Sequence, residues 1–228
     1  MMSKEGTGLR EESASLNMAG AALWSGRDQT QLLVKVLRTT AGTRRARLLA
    51  MALMARFGSV PAILRADHAL LTEVAGVGPA TARLLHTIME LAEGVARQRA
   101  MASPYVLSAW SDLIDYLHVT MAYLPVEQSR VLFLDCRNRL IADEVQHTGT
   151  IDHVQLYPRE VVKRALHLSA TAIIVVHNHP SGDPMPSSAD LRRTRELFAA
   201  SRSLGITLHD HVIIGKMGHI SLRALKLL

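Results

Sequence analysis

His177 and His179 stand one residue apart at the polar end of a run of small and β-branched apolar residues, Ala172 to Val176. The run reads as a short buried strand. Side chains alternate across a strand, so residues i and i+2 share a face and the two imidazoles converge where the strand leaves its sheet. Pro180, Gly182, Pro184 and Pro186 forbid regular structure and form a loop able to return the chain towards the histidines. Ser187 or Ser188 then caps a helix running through Leu191, Leu197 and Phe198 to Gly205, with Asp190 in its first turn. Two neutral imidazoles, one carboxylate and room for a water make the ligand set of an open, hydrolytic zinc site, with Zn2+ the implied cofactor. A plain structural reading stands beside this one. The histidines also suit a polar strand end, and Ser187-x-x-Asp190 caps a helix without any metal.

The elements that must position this centre can be read on either side of it. Pro158 starts a helix with apolar positions Val161, Val162, Ala165, Leu166 and Leu168, leading into the histidine strand. Ile206 to Ile214 is a further strand and Gly218 to Leu222 a short last one. Upstream, Ser108 caps a helix with Trp110, Leu113, Ile114, Leu117 and Met121 on one face. Glu127 to Asp135 is a strand, Arg137-Asn138 a turn, and Arg139 to Val145 the paired strand. Thr148 to Thr150 opens another strand ending at Leu156, and Cys136, in its strand context, reads as a buried structural thiol. Strands mixed with crossing helices predict a three-layer α/β domain with a mixed sheet.

The first half differs in kind. Residues 1–27 read as a flexible leader; residues 28–103 as a helical domain; residues 104–228 as the α/β domain. Leu32, Leu33, Val36 and Leu37 form one helical stripe, and Ala46, Leu49, Ala50, Leu53 and Met54 form a second after a cap at Thr43. Asp67 caps a short helix, Gly76-Val77-Gly78-Pro79 turns the chain, and Thr81 to Val95 continues as a long helix. Helix, G-x-G turn, helix is the pattern of a helix-hairpin-helix element, whose glycines bring backbone N–H groups close to a phosphate. It is equally the pattern of a tight turn holding two helices together. The formal net charge is +6, and it is uneven: thirteen basic against eight acidic residues up to 103, thirteen against twelve after it. A basic adaptor followed by a histidine-rich chemical half makes DNA an expected partner.

His177-x-His179, seven residues, then Ser187-x-x-Asp190 matches the zinc motif of the JAB/MPN (JAMM) metalloproteases. The wording from His177 to Pro184, with Asp210 to Gly215 downstream, resembles the RadC branch of that family. The resemblance implies a JAB/MPN-like (cytidine-deaminase-like) fold preceded by a small all-α helix-hairpin-helix domain. It implies His177, His179 and Asp190 as metal ligands. It also implies a glutamate at the start of the strand ahead of the motif, where register points to Glu127, as general base and then general acid. Glu144 and Glu160 compete for that role. Ser187 matches the family serine that helps hold the oxyanion, and one of Asp210 and His211 is expected to brace a ligand. Gly76 and Gly78 are the expected nucleic-acid contacts.

The function so implied is hydrolysis of an amide or isopeptide bond by a metal-activated water, with an unknown peptide or isopeptide substrate. A DNA-binding or DNA-repair accessory protein with a structural or vestigial zinc site is the alternative. Phosphodiester cleavage is disfavoured by a single-metal ligand set, because many nucleases clamp phosphate between two ions. No apolar run spans a bilayer and no secretory signal opens the chain, so the cytoplasm is expected and a membrane is not.

Overall fold

A computed structural model describes residues 25–102, 106, 110–149 and 156–228. Residues 1–24 of the expected leader, the Ser108 cap, and the strand expected beyond Gly149 as far as residue 155 lie outside the described residues. The chain forms two compact units that divide after Gly94.

The first unit is helical. α1 (Gly26–Phe57) is interrupted at Gly42, where φ is 70° and ψ 165°, so the two apolar stripes belong to two helical stretches joined by a kink. Leu33, Leu37, Ala46, Leu49, Ala50 and Leu53 point into the core. α2 (Val60–Arg65) is capped by Ser59, whose side chain accepts from the Ala62 N–H. α3 (His68–Thr72) has Asp67 at its N-cap position, yet the aspartate makes no side-chain cap bond. α4 (Pro79–Ala100) follows, and Ile63, Leu71, Val74, Val77, Ala82 and Leu85 complete the core. A fully buried leucine contributes about 1.5–3 kcal/mol, so these contacts dominate the unit's stability. Arg56 pairs with Glu73 and Arg65 with Glu93 around them.

The second unit is an α/β sandwich of three layers. α5 (Trp110–Met121) is followed by β1 (Gln128–Leu134) and β2 (Leu140–Thr148), α6 (Pro158–His167), β3 (Ala172–Asn178), α7 (Ser188–Arg202), β4 (Thr207–Gly215) and β5 (Gly218–Ser221). The sheet order is β2-β1-β3-β4-β5. Among the described strands only β3 and β4 run parallel, which makes the sheet mixed, as expected. Leu132, Leu134, Ile174, Val176, Val212 and Ile214 face α5 on one side. Val131, Phe133, Ile173, Val175 and Leu208 face α6 and α7 on the other. β3 is buried along its whole length, which is what a strand walled by helices on both faces requires.

The final turns of α4 belong to this second unit: Ala100 is buried in its core, with Ala96 and Met101 packed against it. Compactness therefore divides the chain inside a helix, earlier than the residue-103 boundary read from composition. Two smaller differences have local causes. β2 continues through Thr148, because its pairing with β1 extends to Gln128↔Thr148. Cys136 is exposed rather than buried, because β1 ends at Leu134 and Asp135 folds the chain back, its Oδ1 accepting from the Arg137 and Arg139 N–H groups. A buried polar triad ties α5 to the β1–β2 pair. The Tyr116 hydroxyl and Arg130 Nη1 both donate to Asp143 Oδ2, at 2.6 and 2.8 Å. Burial, then the bond to Asp143, pushes the Tyr116 phenol up to about 12.

Candidate metal centre

Alternation along β3 places His177 on the α7 face, continuing the row of Ile173 and Val175. The same alternation along β1 runs from Phe133 and Val131 through Ser129, which pairs with His177 across the sheet, towards Glu127 just before the strand. His179 follows the last residue of β3, and its N–H donates to Ile214 O at 2.8 Å. The proline-rich loop is then stitched to the β4–β5 turn. Lys216 Nζ donates to Pro180 O at 3.0 Å, and the Met217 N–H to Gly182 O at 3.2 Å. A Cβ on Gly215 would lie 2.3 Å from Gly182 O, so only glycine lets the loop come this close. The loop delivers Ser187 as N-cap of α7, where a full capping box with Asp190 starts the helix.

His177, His179 and Asp190 are brought together as their spacing predicts. His177 Nε2 lies 3.1 Å from His179 Nε2 and 3.4 Å from Asp190 Oδ1, and His179 Nε2 lies 3.6 Å from Asp190 Oδ2. Hydrogen bonding decides what these atoms carry. His179 Nδ1 faces the Asp183 carbonyl at 2.9 Å, which only accepts, so Nδ1 holds the proton and a neutral ring turns the Nε2 lone pair inward. Lone pairs then crowd one point and need a cation there. A tetrahedral ion with bonds near 2.0–2.1 Å has ligand–ligand edges of about 3.3 Å. The donor set fits a metal ion in both kind and spacing.

The electrostatics agree. Burial drives His177 well below the usual imidazole range, reinforced by His211, so its ring is neutral. Burial also pushes His179 down. The Asp190 carboxylate, the Asp183 carbonyl and the charge of Glu127 outweigh that and raise it. Burial raises the Asp190 carboxyl, but the His179, His177 and Ser187 contacts prevail and hold it far below the ordinary carboxylate range. Without a metal, a proton on His179 is the cation this cluster favours.

Glu127 is the carboxylate outside the triad whose charge acts on His179. Its competitors are engaged elsewhere: Glu144 in a forked pair with Arg164, and Glu160 with Arg159 and Lys163 at the start of α6. Asn178 holds the segment carrying Glu127. Its Oδ1 accepts from the Gln128 N–H at 2.8 Å and its Nδ2 donates to Val126 O at 3.1 Å, one bond on each side of the glutamate. Asn178→Ala leaves these backbone groups without their side-chain partner, a cost of about 1–3 kcal/mol for groups cut off from water. The expected result is a lower urea midpoint with zinc affinity retained, checked by chemical unfolding and zinc titration.

The remaining expected residues take these places. Ser187 Oγ donates to Asp190 Oδ2 at 2.6 Å, so here its single proton serves the cap. Asp183 braces the turn by accepting from the Met185 N–H. Of Asp210 and His211, it is His211 that reaches a ligand ring, at 2.8 Å from His177 Nδ1. Asp210 accepts from the His211 and Arg223 N–H groups and from Ser221 Oγ. Thr194, on α7, touches His211 and was not read from the sequence, although its i+4 spacing from Asp190 puts both on one helix face. Ser129 was also missed; it lines a small pocket with Leu156, Val175, Arg193 and the His177–Asp190–His211 cluster, its buried hydroxyl without a hydrogen-bond partner among the described residues. The i+2 spacing from Glu127 is the signal that would have found it.

In the helical unit the two glycines of the G-x-G turn, Gly76 and Gly78, differ. Gly76 has φ 88°, and a Cβ there would meet Leu49 Cδ2 at 3.0 Å and Arg45 Nη2 at 3.3 Å. Gly78 has open space, and its carbonyl accepts from the Thr81 and Ala82 N–H groups at the start of α4. Gly76→Ala is expected to cost about 1–2 kcal/mol, the penalty of a left-handed L-residue, and Gly78→Ala far less. Thermal melts of the two variants check this.

A family model for the RadC-like JAB domain matches residues 107–227, more than half of the chain, and the match includes every residue of the centre.

Proposed function

The chain belongs to the RadC family, and from that membership we propose a zinc-dependent hydrolase that cleaves an amide or isopeptide bond with water. The observation carrying the proposal is the convergence of His177, His179 and Asp190, donor atoms inward, with the charge of Glu127 acting on His179. Zinc, bound by these three, would polarise the scissile carbonyl and bring the pKa of a water towards neutrality.

This chain's own residues do the rest. Glu127 takes a proton from the attacking water as the new C–O bond forms, then returns it to the nitrogen as the C–N bond breaks. Asn178 keeps that carboxylate at its place by gripping the backbone on either side. Ser187 is the donor for the developing oxyanion once its proton is turned from Asp190 to the substrate, a turn favoured when the aspartate is neutralised by a cation. His179 is kept in the correct tautomer by the Asp183 carbonyl. The test sets zinc-loaded protein against peptide, isopeptide and phosphodiester substrates. Amide cleavage that a chelator stops and zinc restores supports the reading; phosphodiester cleavage, or amide cleavage indifferent to chelation, overturns it.

A second reading, attachment to DNA through the helical unit, rests on the open space where a Gly78 side chain would stand, just ahead of α4. Gly78→Ala is its cleanest probe, since that substitution leaves the fold alone.

A further inference from the structure

A line of hydrogen bonds runs behind the ligands through the protein interior. Thr194 Oγ1 lies 2.6 Å from Asp190 O and 2.6 Å from His211 Nδ1. His211 Nε2 lies 2.8 Å from His177 Nδ1. His177 Nε2 then faces His179 and Asp190. Thr194, His211 and His177 are 1%, 3% and 2% exposed, so each group must find its partner within the line.

With both buried rings neutral, valence sets the direction of every bond. A threonine hydroxyl has one proton, and a backbone carbonyl can only accept. The proton of Thr194 therefore goes to Asp190 O. His211 Nδ1, at hydrogen-bond distance from the same oxygen, must then donate to it. A neutral His211 with its proton on Nδ1 has a lone pair on Nε2, so His177 Nδ1 must be the donor there. His177 Nε2 is left unprotonated and turned inward. Reversing the line would set two oxygen lone pairs against each other at 2.6 Å and place a proton on His177 Nε2, where it blocks a metal.

We propose that Thr194 and His211 are positioning residues that hold His177 in the Nδ1–H tautomer before any metal arrives, so that the ligand lone pair is built by the fold. Asp190 thus acts twice: its side chain faces the centre and its carbonyl anchors the relay. The inference rests on the zinc reading, but its primary observable does not require zinc.

The experiment uses the metal-free full-length chain with 15N-labelled histidine. Long-range 1H–15N correlations are expected to report the Nδ1–H tautomer for both His177 and His211. Thr194→Val, which keeps the shape and removes the hydroxyl, is expected to shift both rings towards Nε2–H and to weaken zinc binding by about 10–100-fold. Thr194→Ser is expected to restore tautomer and affinity together, which a loss of packing alone would not produce. Nε2–H on His177 in the unaltered protein overturns the proposal with no variant needed. So does a Thr194→Val protein with unaltered tautomers. Should the unaltered chain bind no zinc, the hydrolase reading fails, while the tautomers still decide the relay.

Discussion

Glu127→Gln is expected to lower amide hydrolysis by about 10²–10⁴-fold, the usual contribution of a positioned proton carrier, with zinc content unaffected. Glutamine has the shape of glutamate and can still hydrogen-bond, but it cannot take a proton from water. The backbone around it is held independently of the side chain: Glu127 O accepts from the Gly149 N–H, and Asn178 grips Val126 and Gln128. The substitution therefore removes chemistry and leaves position. Glu144→Gln and Glu160→Gln are the controls. Their carboxylates are held by Arg164 and by Arg159 and Lys163, and both variants are expected to turn over like the parent. Steady-state kinetics beside metal analysis separates the cases, and activity surviving in Glu127→Gln would end the assignment of the base.

Asp190→Asn is expected to release the metal, weakening zinc binding by more than the 10–100-fold typical of residues behind the ligands. Asparagine still accepts from the Ser187 N–H at the cap, so the helix survives while the inward charge is lost. The pH dependence has a definite sign. Proton and metal compete for the same His179 lone pair, and the His179 pKa is raised. Zinc affinity in the parent therefore falls as pH falls below that raised value and levels off above it. In Asp190→Asn the carboxylate that raises His179 is gone, so this step moves to lower pH; calorimetric zinc titrations across pH read it directly. The ionised Asp190 carboxyl, whose folded pKa lies below the unfolded one, stabilises the folded chain at neutral pH and loses that effect progressively as pH falls below the ordinary carboxylate range towards its lowered folded pKa.

What could be read from the sequence was what is local. A histidine pair at i and i+2, a proline-bent loop and a serine–aspartate cap are written within a few residues of one another, and each forces its own geometry. The layers of the second unit followed from alternation, since Ile173 and Val175 part from Ile174 and Val176 whatever surrounds them. The supporting contacts were not legible in the same way. Asn178 reaches partners across the β1–β3 register, and Thr194 meets His211 only because α7 packs over β4. Cys136 went the other way: an apolar run promised burial, but the side chain of Asp135 ended the strand first. Asp67 stands where a cap should, and only coordinates reveal that its side chain makes no cap bond.

The most direct test is a diffraction experiment on the zinc-loaded chain at the zinc absorption edge. One strong anomalous peak per chain is expected, with His177 Nε2, His179 Nε2 and an Asp190 carboxylate oxygen at about 2.0–2.2 Å and Glu127 beside the remaining position. A zinc held by other side chains, or no peak in protein shown to be loaded to one equivalent, would contradict it.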